Sequence, residues 1–294
     1  MIEGYDGGAL VAWALASIGG AIVILLWGFV RSVDGRVERW AASRAVPLTA
    51  ETRPYVTRRL RSSRRWRTAA VVVAWLLPFA WTAAHRSAYA TLDVRVVAST
   101  LLLGYLAAVL VAEIVAARRL PRGRGAVLDT RRVDQYVPRV LFAWSGRCAA
   151  TSVAVATAAI LVVDPEPGRP FRAATQAALA VASVGALVAA RAASTFIVSR
   201  RQPVVSRELL RADDALRSWS AHSCIGALLT AQLLALSQQL NDVIVVVDGP
   251  VRWVLGAVAT VALCAAAGTI QVVGSPEWRW RVRRDVAVDA EPAT

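Results

Sequence analysis

Three ionisable side chains interrupt otherwise apolar runs of this sequence: Glu113, Arg147 and Arg191. Groups of this kind are costly inside hydrocarbon, and they mark binding sites, ion paths or pairs that lock helices. Arg147 lies seven residues past Val140, and Arg191 lies seven before Val198. At about 1.5 Å per residue, both sit roughly 10 Å from the same end of their runs. Glu113, near the end of its own run, is slightly shallower. A Glu113 carboxylate paired with Arg147 or Arg191 would offset part of the burial cost. The arginine left over could hold an anionic substrate or a lipid phosphate. The plainer alternative is that long arginine side chains snorkel to the headgroups. These three are the candidate substrate- or lipid-binding residues.

Other constellations carry less. Asp213-Asp214 are neighbours, about 100° apart on a helix, so both cannot easily grip one ion; a solvated charged loop is the expectation. Asn241-Asp242 with Asp248 has the wrong spacing for a prenyltransferase-type aspartate motif. Ser145-Gly146 and His222-Ser223 lack the Gly-x-Ser-Gly context of an intramembrane serine protease. Cys148, Cys224 and Cys264 fall in apolar segments at no metal-ligand spacing and read as small buried hydrophobes. His85 and His222 fall on opposite sides of the expected membrane. All 34 basic residues are arginine. Without lysine the chain cannot be a P-loop nucleotidase, a protein kinase, a Schiff-base enzyme or a retinal-binding protein. No catalytic residue, metal or cofactor is expected.

The elements that must position these groups follow from composition. The 294 residues are 56% hydrophobic yet carry a net charge of +14. The apolar residues come in runs of about twenty with arginines between them, as in a polytopic membrane protein. Nucleic-acid binding, which asks for a basic face with interleaved aromatics, is not expected. The reading is an all-α membrane protein, one bundle of about seven transmembrane helices over residues 1–294 in the cell membrane. Its spans are 8–30, 68–84, 96–117, 140–163, 173–198, 221–240 and 251–273, the sixth interrupted by Gln238-Gln239 and Asn241-Asp242. Gln232, in the middle of that sixth span, suits an interhelical hydrogen bond.

Orientation follows from the arginines. Connections 31–67, 118–139 and 200–217 hold eleven, seven and five, and the tail 279–284 holds four, against five in the opposite connections. With seven spans the arginine-rich side is cytoplasmic, the N-terminus outside and the C-terminus inside. The basic connection 31–67 is the largest cytoplasmic loop. The segment 204–219 places Val205, Leu209, Ala212, Leu216 and Trp219 on one helical face behind a Ser206 N-cap, with Glu208 near the helix start. It reads as an amphipathic cytoplasmic helix, lying at the membrane surface or docked on the bundle, with Leu209, Leu216 and Trp219 as candidate partner-binding residues.

Arg200-Arg201-Gln202-Pro203 followed by Ala212-Asp213-Asp214-Ala215, with residues 129–138 upstream, resembles a group of multi-span membrane proteins of high-GC actinobacteria. The resemblance implies association with transport-type membrane systems; no established activity carries over residue by residue. The leading expectation is therefore a non-enzymatic, transport-associated membrane component, a permease or permease-partner subunit without its own nucleotide site. A separate cytoplasmic ATPase or other membrane subunit would be its partner. The alternative is a membrane sensor or scaffold that binds a cytoplasmic partner or anionic lipid headgroups. A lipid-modifying enzyme centred on Glu113, Arg147 and Arg191 ranks third.

Overall fold

A computed structural model of the chain describes residues 34–84, 106–115, 132–162, 173–200, 206–244 and 249–274, with the isolated positions 19, 20, 22, 104 and 247. Among them every regular element is helical. The helices are α1 (Asp34–Ser43), α2 (Thr52–Ala84), α3 (Leu106–Val115), α4 (Val133–Tyr136), α5 (Arg139–Val162), α6 (Ala173–Ser199), α7 (Arg207–Ile244) and α8 (Pro250–Gly274). The expected span 8–30, apart from three positions, and the arginines of the tail 279–284 lie outside the described residues. Two compact units emerge: Met1–Val37 with Arg53–Arg119, and Glu38–Thr52 with Leu120–Thr294.

The connection 31–67 is mostly helix, not loop. Helix α1 buries Val37, Trp40 and Ala41 on one face and stops in a left-handed turn. Ala45 has φ 51°. The Val46 amide donates to the Ala41 carbonyl at 3.0 Å, and the Ala45 amide to that of Ala42 at 3.3 Å. This is the helix-ending pattern usually built on glycine. Arg44 in the same turn lies 5.7 Å from the centre of the Trp40 ring, and burial lowers its pKa to about 10. The next helix opens with a reciprocal cap. The Thr49 amide donates to Thr52 Oγ1 at 2.8 Å, and the Thr52 amide to Thr49 Oγ1 at 3.3 Å. Pro54 follows in the first turn, where its missing N–H costs nothing.

Helix α2 has 33 residues, roughly 50 Å at the helical rise. Its first half is arginine-rich and its second half, Thr68 onward, is the apolar run. It continues through Pro78, as membrane helices allow. Gly104, just ahead of α3, lies so close to Ala74 of α2 that an added Cβ would collide with it.

In the second unit α5, α6 and α7 pack on one another and α8 packs on α7. Three segments are long and apolar enough to cross a membrane: Arg139–Leu161, Ala173–Ser199 and Arg207–Ile244. Helix α7 is the central one, buried at every position from Ala215 to Thr230. A helix buried around its whole circumference needs neighbours on several sides, and α5, α6 and α8 pack against it. Residues 207–219 of the amphipathic segment are therefore the first turns of a 38-residue helix docked in the bundle, and Val205 lies outside the described residues. Ser206 does cap it: Oγ accepts from the Leu209 amide at 3.3 Å. The helix also runs unbroken past Gln239 and Asp242, where the sequence suggested an interruption. Gly249, with φ 81°, makes the turn that only glycine enters easily. Pro250 then begins α8.

Candidate functional site

Glu113 on α3 is fully buried and meets one face of α2. Arg59 Nη2 donates to Oε2 at 2.9 Å, Ser63 Oγ to Oε1 at 2.9 Å, and Arg67 Nη2 to Oε1 at 3.0 Å. Residues 59, 63 and 67 recur every four positions, so one helical stripe delivers all three donors. Burial of the carboxylate is offset by two guanidinium groups. Glu113 thus draws two cations from α2, where depth counting points to Arg147 or Arg191. Depth counted along apolar runs leaves residues 59 to 67 in a loop. The four-residue recurrence is the signal that could have found them.

A second buried ionic cluster forms where α6 passes into α7. Asp213, 2% exposed, binds Arg200 Nη2 at 2.7 Å and Arg217 Nε at 2.8 Å. Arg217, 1% exposed, also donates to the Val198 carbonyl at 2.9 Å and to the Arg200 carbonyl. A cation is thereby placed on the final carbonyls of α6, where the helix dipole favours it. Arg200 of the Arg-Arg-x-Pro stretch and Asp213 of the Ala-Asp-Asp-Ala stretch, the two stretches that carried the resemblance, meet in this joint. Asp213 is therefore no solvated loop carboxylate. Its neighbour Asp214 accepts from Tyr136 Oη at 3.0 Å, and Ser218 Oγ donates to the Tyr136 carbonyl at 3.1 Å, pinning α4 to the same turn. His222 Nδ1 lies 2.7 Å from the Ser218 carbonyl. Ser206 Oγ donates to Glu51 Oε2 at 2.7 Å.

Deeper in the bundle, two polar layers repeat each other. Gln232 Oε1 accepts from Ser145 Oγ at 2.7 Å, and its Nε2 donates to the carbonyls of Ser145 at 3.2 Å and Ser183 at 2.8 Å. Gln239 Oε1 accepts from Ser152 Oγ at 2.7 Å, and its Nε2 donates to the carbonyls of Ser152 and Gln176, each at 3.2 Å. The partners step by seven residues, upward on α5 and α7 and downward on α6. This arrangement makes α6 antiparallel to the other two. Gln176 Nε2 reaches Asp242 Oδ2 at 3.4 Å, which ties down the stretch expected to break. On α6, Ser183 Oγ and Gln176 Oε1 are buried without a protein partner.

Arg147 and Arg191 are brought to no buried site; both are exposed on the outer faces of α5 and α6. Arg147 Cζ lies 5.4 Å from the centre of the Trp144 ring, one turn toward the start of α5. Side chains tilt toward a helix N-terminus, so this posture comes naturally to Arg147 and leads to the helix end. Arg191 stands near the C-terminus of antiparallel α6, and the same tilt aims it deeper. It belongs to an exposed stripe with Val181, Val184 and Val188, 72%, 41% and 61% exposed. Of the candidate partner-binding residues, Leu216 and Trp219 are buried within the unit at 3% and 7% exposure, and Leu209 is half-buried. No cluster of three or more potential metal ligands exists among the described residues. No protein-family model, curated protein or solved structure matches the chain. The geometry is that of an all-helical protein with membrane-length helices, whose buried polar groups join helix to helix.

Proposed function

We propose that this chain is a non-enzymatic, transport-associated subunit of the cell membrane that works against another membrane subunit, with any ATP hydrolysis supplied by a separate protein. In this reading it crosses the membrane seven times, N-terminus outside and C-terminus in the cytoplasm. The observation that carries the reading is Arg191, an exposed cation in line with the exposed Val181, Val184 and Val188 on α6. Lipid-facing charge is costly, and an acidic or strongly hydrogen-bonding group on a neighbouring subunit would offset it. The polar side chains inside α5, α6 and α7 are in keeping with this reading, because they bond helices together.

The test is photo-crosslinking in native membranes from positions 188 and 195, which flank Arg191 on its stripe. A discrete membrane-protein adduct, lost in Arg191→Gln while the variant still inserts, supports the proposal. Adducts to lipid alone at both positions overturn it. Recovery of an ATPase in the same complex would identify the transport system.

A further inference from the structure

The first half of α2 has two charged faces with different fates. Residues 52–67 contain seven arginines and no acidic residue. Arg59 and Arg67 turn inward to Glu113. Arg58, Arg61 and Arg65, at spacings of three and four, point the other way and are exposed. At about 100° per residue the outward three lie within roughly 60° of one another, on the side of the helix opposite Glu113. The apolar run begins at Thr68. Arg65 is three residues before it, Arg61 seven and Arg58 ten, which is roughly 5, 10 and 15 Å along the axis. The headgroup layer extends about 5–8 Å beyond the hydrocarbon. Arg65 therefore falls at phosphate level, and Arg61 and Arg58 fall in the aqueous potential just outside it.

We infer that the Arg58–Arg61–Arg65 face of α2 is a binding site for anionic phospholipid headgroups of the inner leaflet. The buried Glu113 contacts fix the roll of α2 that presents it. Guanidinium groups match phosphate oxygens in charge and geometry. Arginines close to an anionic leaflet each strengthen binding, by about five-fold at low salt. The apolar run that follows on the same helix holds them against the bilayer. The inference rests on α2 entering the membrane from the cytoplasmic side and does not require the partner subunit proposed for Arg191.

The full chain is purified in mild detergent and exchanged into nanodiscs of phosphatidylcholine with a fifth phosphatidylglycerol. Phospholipids retained after stripping are then counted by native mass spectrometry. The wild type should retain phosphatidylglycerol at least several-fold over its bulk share, with the enrichment falling as salt rises. Arg58→Gln/Arg61→Gln/Arg65→Gln should abolish the enrichment, and Arg252→Gln should leave it intact. If the triple variant does not fold, single variants decide, with Arg65→Gln losing most and Arg58→Gln least. Enrichment absent in the wild type, or unchanged in the triple and single variants, overturns the inference. So does capture of an acidic protein at this face in place of lipid.

Discussion

Gln232 and Gln239, one heptad apart on α7, make the same three hydrogen bonds to a serine on α5 and a carbonyl on α6. Each amide spends both donors and one acceptor position on two neighbouring helices. Interhelical hydrogen bonds in membranes are individually modest, on average about 0.6 kcal/mol. Gln232→Leu or Gln239→Leu should therefore each cost about 1–2 kcal/mol, and the double variant should cost close to their sum. Ser145→Ala should be measurably destabilising, whereas Ser183→Ala, which removes no protein hydrogen bond, should be neutral. Thermal unfolding in detergent, compared across the set, checks this; a costly Ser183→Ala would contradict it.

Glu113→Gln removes the negative charge between Arg59 and Arg67. Leaving buried cations without their carboxylate costs about 3–5 kcal/mol. The variant should lose most of its folded yield or unfold well below wild type. Arg59→Leu combined with Glu113→Leu, which removes one cation with the anion, should be milder than Glu113→Gln.

The paired aspartates should separate cleanly. Asp213→Asn weakens two buried ion pairs and should cost about 3 kcal/mol or more. Asp214→Asn retains an oxygen for Tyr136 Oη and should cost about 1 kcal/mol. Equal effects from both would refute the placement of Asp213 in the joint. Protease sensitivity near residue 200 gives an independent readout.

Ala45 holds a left-handed conformation that costs a non-glycine residue roughly 1–2 kcal/mol. Ala45→Gly should stabilise the chain by about 0.5–1 kcal/mol, the remainder being lost to the freer unfolded backbone. An unchanged or lowered melting temperature would argue against the turn.

At the start of α5, the hydrogen bond from Arg139, aided by Arg132, holds the half-buried Asp134 carboxyl below its ordinary range. Because the folded-state value is depressed, any stabilisation is present above the usual aspartate range and disappears as pH falls through the lowered value. Carbon-detected NMR of labelled aspartate should show that late protonation, moving upward with added salt and rising part of the way to ordinary in Arg139→Gln.

The helical character of the described residues and the three membrane-length apolar segments are readable from runs of about twenty residues. So are the Ser206 cap and the interhelical use of Gln232. The α2 stripe is not, because a high density of arginine looks like loop when charge alone is counted. Its helix-start signals, Thr49, Thr52 and Pro54, and the 59-63-67 spacing are in plain sight. Asp213 is hidden for a different reason: its partner Arg200 lies 13 residues back, at the end of α6, and adjacency in sequence says nothing about which aspartate faces inward. The Gln239 layer escaped because glutamine and aspartate near a helix end resemble a terminus unless the neighbouring helices are known.

The likeness of the two glutamine layers has its own cost. If α7 slipped lengthwise by seven residues, about 10.5 Å, Gln239 would arrive at Ser145 and Ser183, and one complete layer would form again. The ladder is thus degenerate with respect to register and cannot by itself choose between alignments. The Arg200–Asp213–Arg217 cluster occurs once, at one end, and has no copy a heptad away. It is the key that makes a single alignment of α7 against α6 the stable one.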